Sequence, residues 1–436
     1  KLNAARFFHR IVCYSGDVFV IGGTSRRTGA VHSIEKISVE KNSPRVGVLD
    51  GAHWPGFRGD GSSLTAAKNL PTKWVDKDVK WAQNVEGYGQ SSPVVFNGRV
   101  FVTSVIGDNK ESLGVHCYDL KTGQNAWSKI VENSNHQKIS DYISKGAPTP
   151  CVDENGVYCF FETGQLLAIG HDGEIQWQRS LTKEYGDFQG NHGVGTSLVQ
   201  SSDHLVLLID HSADGYLLKL SKKTGENSWK IDREKRVSWS TPVIDATVSP
   251  NQIVISSNGI VEGVNFKNGR QLWSYLGVEK NTIPSATVTR DLILVGSSVK
   301  PSSIALPRDK AGSITKDQVS WTAENATSSM SSPLVVGENV YYVSRAGVLS
   351  CNDLKTGKQL WDHRLPASCW ATPVGAGDAI YYFCKEGSTV VMKNERSGPV
   401  ELAKSKLDIE GPVYGVAVVD GAIVMRTGSQ VVALLN

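Results

Sequence analysis

KTGQNAW at 121–127 and KTGKQLW at 355–361 are almost the same phrase, set more than two hundred residues apart. Looser copies stand at 171–177 (HDGEIQW), 223–229 (KTGENSW) and 267–273 (KNGRQLW). Trp81, Trp127, Trp177, Trp229, Trp273, Trp321 and Trp361 follow one another at intervals of 40 to 52 residues, the mark of a repeat architecture. A second marker lies upstream of many of these tryptophans. SSPVVFNGRVFV (91–102), TPCVDENGVYCFF (149–161), TPVIDATVSPNQIVIS (241–256), SSPLVVGENVYYVS (331–344) and TPVGAGDAIYYF (372–383) each pair two apolar strands around a Gly/Asn/Asp turn. A shorter strand such as GVHCYDL follows, then the K-T-G turn, then the strand that ends in Trp.

This plan gives four antiparallel strands per unit and no segment of helical period. Four-stranded sheets repeated about an axis make a β-propeller, which leaves few exposed edges. The K-T-G turn then leads into the outermost strand of each blade, and the Trp packs on the neighbouring blade. The expected fold is therefore all-β, an eight-bladed propeller, or seven-bladed if the irregular stretch 274–321 is not a blade. Leu402 stands where the seventh unit would carry its Trp. The last unit, 411–436, supplies three strands, and residues 71–81 (PTKWVDKDVKW) are expected to complete it and close the ring. The domains expected are a β-hairpin-like extension over 1–53 and the propeller over 54–436.

Composition excludes several classes. A net charge of +3 provides no basic field for nucleic acid, and no apolar run reaches the length of a membrane span. Seven cysteines leave at least one unpaired. Cys117 and Cys351 occupy equivalent places in CYDLKTG and CNDLKTG, where a small buried hydrophobe fits. With a turn at Asn155-Gly156, Cys151 faces Phe160 and Cys159 faces Val152, so their sulfurs point to opposite sheet faces and form no bridge. The chain starts at Lys1 and its first thirty residues show no leader pattern, so either a leader was removed or the chain is a fragment.

These markers resemble the pyrroloquinoline quinone (PQQ)-like β-propeller repeat, whose signature is A-x-D-x-x-T-G-x-x-x-W. The resemblance covers residues 54 to 436. WPGFRGDGSS, LPTKW, VKW and GQSSPVV look like the opening of an uncharacterised bacterial subgroup whose members begin just after a secretory leader. The wider family includes quinoprotein dehydrogenases, which hold PQQ and Ca²⁺ on the axis, and a cofactor-free propeller lipoprotein of outer-membrane protein assembly. The adjacent Cys-Cys pair common in the dehydrogenases is absent here, and no Glu/Asn/Asp set matches a Ca²⁺ site. Residues 1–50 resemble a single kelch repeat, with Gly22-Gly23 ending a strand.

Loops entering the innermost strands converge on one mouth of the channel, the natural place for a ligand. By register they bring together Tyr88, Gln90, Lys145, Asn191, His192, Arg233, Arg236, Trp239, Trp370 and Tyr414. Trp239 and Trp370 stand outside the repeating ring, in WSTP and WATP. They read as a stacking platform with cationic neighbours, or as plugs of the channel. DHSADG (210–215) reads as a hairpin turn rather than a catalytic triad, and His192 alone is not a metal site. Asn325-Ala326-Thr327 matches a glycosylation sequon.

The expected function is a non-catalytic binding or scaffold propeller of the bacterial envelope, periplasmic or cell-surface by resemblance. It would hold a protein or small ligand at the mouth, as a monomer or within an envelope complex. The alternatives are a PQQ-dependent oxidoreductase acting on alcohols or sugars and a carbohydrate-binding propeller. No catalytic residue is assigned, and PQQ and Ca²⁺ remain the cofactors to test.

Overall fold

A computed structural model of the chain describes residues 49–139 and 144–436, together with backbone strands between residues 10 and 37. The chain divides into two compact units, 1–45 and 46–436. In the first, Arg10–Tyr14, Asp17–Ile21 and Ile34–Ile37 form an antiparallel sheet, while Gly22 and Gly23 lie outside the described residues.

The second unit is an all-β, eight-bladed propeller. Its blades span 94–132, 151–180, 199–233, 243–276, 287–323, 334–364, 374–406 and 413–435. The stretch that reads as irregular in sequence forms a complete fifth blade, and Gly312–Ile314 from its long connection adds a parallel fifth strand to blade 4. Val79–Asn84 supplies the missing outer strand of blade 8 by pairing antiparallel with Gln430–Leu435. Among the described residues no helix is long and apolar enough to cross a membrane.

The core lies between successive blades rather than in one mass. One cluster joins blades 1 and 2 around Phe101, Val152 and Phe161, and another joins blades 2 and 3 around Phe160, Leu205 and Leu218. Six of the eight interfaces are fastened by the same clasp. The indole N–H of Trp81, Trp127, Trp177, Trp229, Trp321 and Trp361 donates to a carbonyl at the turn of the next blade, on Leu120, His171, Lys222, Phe266, Leu354 and Glu395 respectively, at 2.7 to 3.2 Å. The glycine of that next turn lies against the ring. A Cβ on Gly123 would come 2.6 Å from Trp81, and one on Gly225 would come 2.7 Å from Trp177. Glycine is needed there for a positive φ as well as for the space.

The strand beside six of the seven repeating tryptophans presents a small residue, whereas Lys219 sits opposite Trp229. Cys117, Ala168, Gly263, Ala305, Cys351 and Ala433 sit opposite Trp127, Trp177, Trp273, Trp321, Trp361 and Trp81. Burial pushes the Cys117 and Cys351 thiols up to about 12, so they act as apolar filler. Trp273 departs from the pattern and donates to Gln252 of its own blade, where the added strand alters the edge. Leu402 is half exposed, whereas Trp74 is buried in the core of blades 7 and 8 and its backbone N–H donates to Ser405 Oγ.

One register differs from expectation. Cys151 opposes Tyr158 rather than Phe160, because the turn centres on Glu154-Asn155. The shift is by two residues, which preserves the faces. Cys151 and Cys159 fall in different core clusters and do not bridge.

Candidate functional site

The second marker builds the axis. In seven blades the second residue before the innermost strand carries a hydroxyl, and six of the seven are tied to the next blade. The backbone N–H of Ser92 donates to Thr149 Oγ1, that of Thr149 to Ser197 Oγ, and that of Ser197 to Thr241 Oγ1. Thr241 continues to Ser285, Ser285 to Ser332, and Ser332 to Thr372. Gly415 takes the eighth position, where a Cβ would collide with Ser92. The Ser-Pro and Thr-Pro phrases of the sequence thus encode a belt of hydroxyls around the axis.

Below the belt, the segment from Gly51 to Lys68 touches the innermost strand of every blade. Trp54 exchanges backbone hydrogen bonds with Val95, and the Pro55 carbonyl accepts from Val152 N–H and Gln200 Nε2. Gly61 approaches Val243. Arg58 donates to Ala286 O (3.1 Å), Thr287 Oγ1 (2.7 Å) and Pro333 O (3.3 Å). Leu64–Thr65 pairs in parallel with blade 7, and the Gly51 and Lys68 carbonyls accept from Asp420 and Gly421 of blade 8. These partners lie one to six residues after the belt position in each blade. The segment therefore closes the end of the channel away from the mouth. Arg58 is 3% exposed, and burial lowers its guanidinium to about 10.

Above the belt, the residue two positions before each hydroxyl forms a second tier: Gln90, Ala147, Gly195, Trp239, Ile283, Met330 and Trp370. With Trp54, Phe57, Arg58 and Ser63 as floor, the result is a well of about 650 Å³ open at the mouth. Its lining is mainly apolar and aromatic; Arg58, Arg345, His192 and Tyr414 are titratable, and among the described residues it holds no carboxylate. Trp54 Nε1 is buried without a hydrogen-bond partner.

The structure divides the residues singled out from sequence. Gln90, His192, Trp239, Trp370 and Tyr414 line the well. Trp239 is held by its indole N–H on Gly193 O at 2.9 Å and by the His192 ring at 5.8 Å, while Trp370 packs on Tyr414 at 5.4 Å. Tyr88 stands behind them, its hydroxyl 2.8 Å from that of Tyr414, with Lys145 Nζ 5.2 Å from its ring. Asn191 is exposed on its loop outside the lining. Arg233 is buried and paired with Asp210 (3.0 Å) and Glu262, so its charge is spent within the fold. Arg236 donates to Asn258 O and pairs with Glu234. Asp210 thus serves the fold, and DHSADG is the hairpin connection between the second and third strands of blade 3.

A buried ion pair positions the mouth loop. Lys110 and Glu162 are fully buried, with Nζ 2.8 Å from Oε1. Lys110 also donates to Ser144 O, and Glu162 accepts from Gly146 N–H, fixing the backbone from which Ser144 and Ala147 face the well.

The donor set does not fit a quinone–Ca²⁺ centre. Ca²⁺ takes six to eight oxygen ligands, usually including carboxylates. Among the described residues the lining supplies no carboxylate, and no cluster of three His, Cys, Asp or Glu could hold a metal.

Comparison with known proteins places this geometry. A family model described as outer membrane protein assembly factor BamB matches residues 17–191 and 186–401. The protein of that name from Shewanella oneidensis is 24% identical over 297 residues, 67% of each chain. Among solved structures, BamB from Moraxella catarrhalis superposes with a TM-score of 0.59 at 12% identity, covering 82% of this chain and 99% of that one. Quinohemoprotein alcohol dehydrogenase from Comamonas testosteroni superposes with a TM-score of 0.62, also at 12% identity, covering 91% and 83%. At such identities the structural likenesses establish the fold alone.

Proposed function

The chain belongs to the family of the outer membrane protein assembly factor BamB, and from that premise we propose that it is a non-catalytic binding propeller of the bacterial envelope. It works within a periplasmic, outer-membrane-associated assembly and takes a segment of a partner protein in its axial well. The observation that carries this reading is the well itself. It is closed at one end, walled by Trp239 and Trp370, cationic through Arg58 and Arg345, and among the described residues lined by no carboxylate. Aromatic walls with a few convergent polar groups suit recognition, since rigid rings contribute contact area at small entropic cost.

The test is affinity capture from envelope extracts, comparing the chain with a Trp239→Ala/Trp370→Ala variant whose fold is checked by circular dichroism. A specific envelope protein should be retained by the chain and lost about tenfold or more from the variant, equivalent to about 1.4 kcal/mol. Equal retention by both would remove the well from the binding function. Quinone-dependent turnover of an alcohol or sugar would overturn the non-catalytic reading.

A further inference from the structure

Cys369 and Cys384 present a juxtaposition that the well does not use. Their sulfurs lie 3.5 Å apart, although the two residues are 15 positions apart in sequence. Both are buried in the core between blades 6 and 7. The backbone N–H of Lys385 donates to Ser368 O at 2.9 Å, which holds the two cysteine-bearing segments side by side. The sulfurs need to approach by only about 1.5 Å to reach the roughly 2.05 Å of an S–S bond. Among the described residues no other two cysteines are in sulfur contact.

We propose that Cys369 and Cys384 form a reversible disulfide that staples the loop carrying Trp370 to the strand end carrying Lys385. Each cysteine immediately precedes one of those two residues, and Lys385 Nζ lies 5.9 Å from the Trp370 ring. The oxidant is a disulfide donor, either a small-molecule disulfide or that of a thiol oxidoreductase. One cysteine thiolate attacks a donor sulfur and expels the first donor thiol. The second cysteine thiolate then attacks the mixed disulfide and expels the other. One S–S bond forms in the chain, and two hydrogens and two electrons leave with the donor.

Reactivity is built into the pair. The Cys369 thiol directed at Cys384 draws the Cys384 thiol below its ordinary value while that of Cys369 rises. Pro366, Ala367, Ser368 and Trp370 around Cys369 are exposed or half-buried, so a local opening of this loop admits the donor without unfolding the blade. The consequence for Trp370 in the well rests on the function proposed above, whereas the bridge itself does not.

The experiment treats the purified chain with oxidised glutathione, quenches by alkylation in denaturant and maps peptides by mass spectrometry. The expected result is a linked pair of peptides carrying Cys369 and Cys384, lighter by two hydrogens and reopened by reductant. Cys117, Cys151, Cys159 and Cys351 should remain fully alkylated. A Cys384→Ser variant should restore alkylation of Cys369. Should that variant not fold, the map of the oxidised against the reduced parent chain decides alone. Full alkylation of both thiols after exhaustive oxidation, or a link from Cys369 to a different cysteine, would overturn the proposal. Because the map is made on isolated protein, its failure is distinct from failure of the envelope-binding reading.

Discussion

Gly123→Ala tests the clasp that joins the blades. Gly123 sits at φ +72 with its missing Cβ directed at Trp81, 2.6 Å from ring carbons. Gly98, in the same blade, sits at φ +71 with nothing within 4 Å of the same position. The left-handed backbone costs an alanine about 1–2 kcal/mol at either site, offset by about 0.4–1 kcal/mol from the stiffer unfolded chain. Gly98→Ala should therefore destabilise by about 1 kcal/mol. At Gly123 the new methyl must also push the Trp81 ring back by about 1 Å to reach normal carbon contact, an overpacking cost of about 1–3 kcal/mol. The measurement is urea unfolding of both variants by far-ultraviolet circular dichroism, repeated in a Trp81→Leu background. Gly123→Ala should exceed Gly98→Ala by about 1–3 kcal/mol in the parent and by less than about 1 kcal/mol once the indole is gone. An excess that persists without the indole would refute the clasp.

Trp361→Ala, which empties a buried site, should cost about 3–5 kcal/mol, and Trp127→Ala, half-buried, clearly less in the same unfolding assay. Thr241→Val leaves the buried Ser197 N–H without its acceptor and should cost about 1–3 kcal/mol, whereas Thr241→Ser should be close to neutral. Lys110→Met strands the buried Glu162 carboxylate and should cost about 3–5 kcal/mol, with Glu162→Gln added to the same variant recovering part of it. His116 is buried near Arg426, and burial first, then that charge, lowers it from 6.5 to about 4. The unfolded chain therefore binds a proton that the folded chain does not. Its contribution is constant above pH 6.5 and is lost as pH falls from 6.5 to 4, by up to about 3 kcal/mol. His116→Asn should flatten that part of a stability–pH profile.

The blades were legible because they repeat. K-T-G and Trp recur with a fixed spacing, since Trp81, Trp127, Trp177, Trp229 and Trp321 each lie against a glycine turn of the next blade. The hydroxyl belt was half legible, visible as Ser-Pro and Thr-Pro phrases whose partners one blade onward cannot be read from a single copy. Trp239 and Trp370 were found because they break the repeating ring. Arg58 and the rest of the floor were missed as site residues because WPGFRGDGSS occurs once and touches strands up to hundreds of residues away. Arg233 was placed among candidate ligands because its neutralising carboxylates, Asp210 and Glu262, sit on other strands. Lone loop charges carry no label for the partner that folding brings to them.

The floor and the closing strand also set an order of events. Val79–Asn84 can pair with blade 8 only once Gln430–Leu435 exists, and Gly51–Lys68 contacts all eight blades. A chain synthesised from its N-terminus must therefore carry this segment unseated until Gln430–Leu435 emerges. Completing the ring becomes a late, long-range step that local pairing within individual blades can precede. Removing Gln430–Leu435 would deprive Val79–Asn84 of its seat, so a defect in blade 8 would register as proteolytic sensitivity in a segment more than three hundred residues earlier.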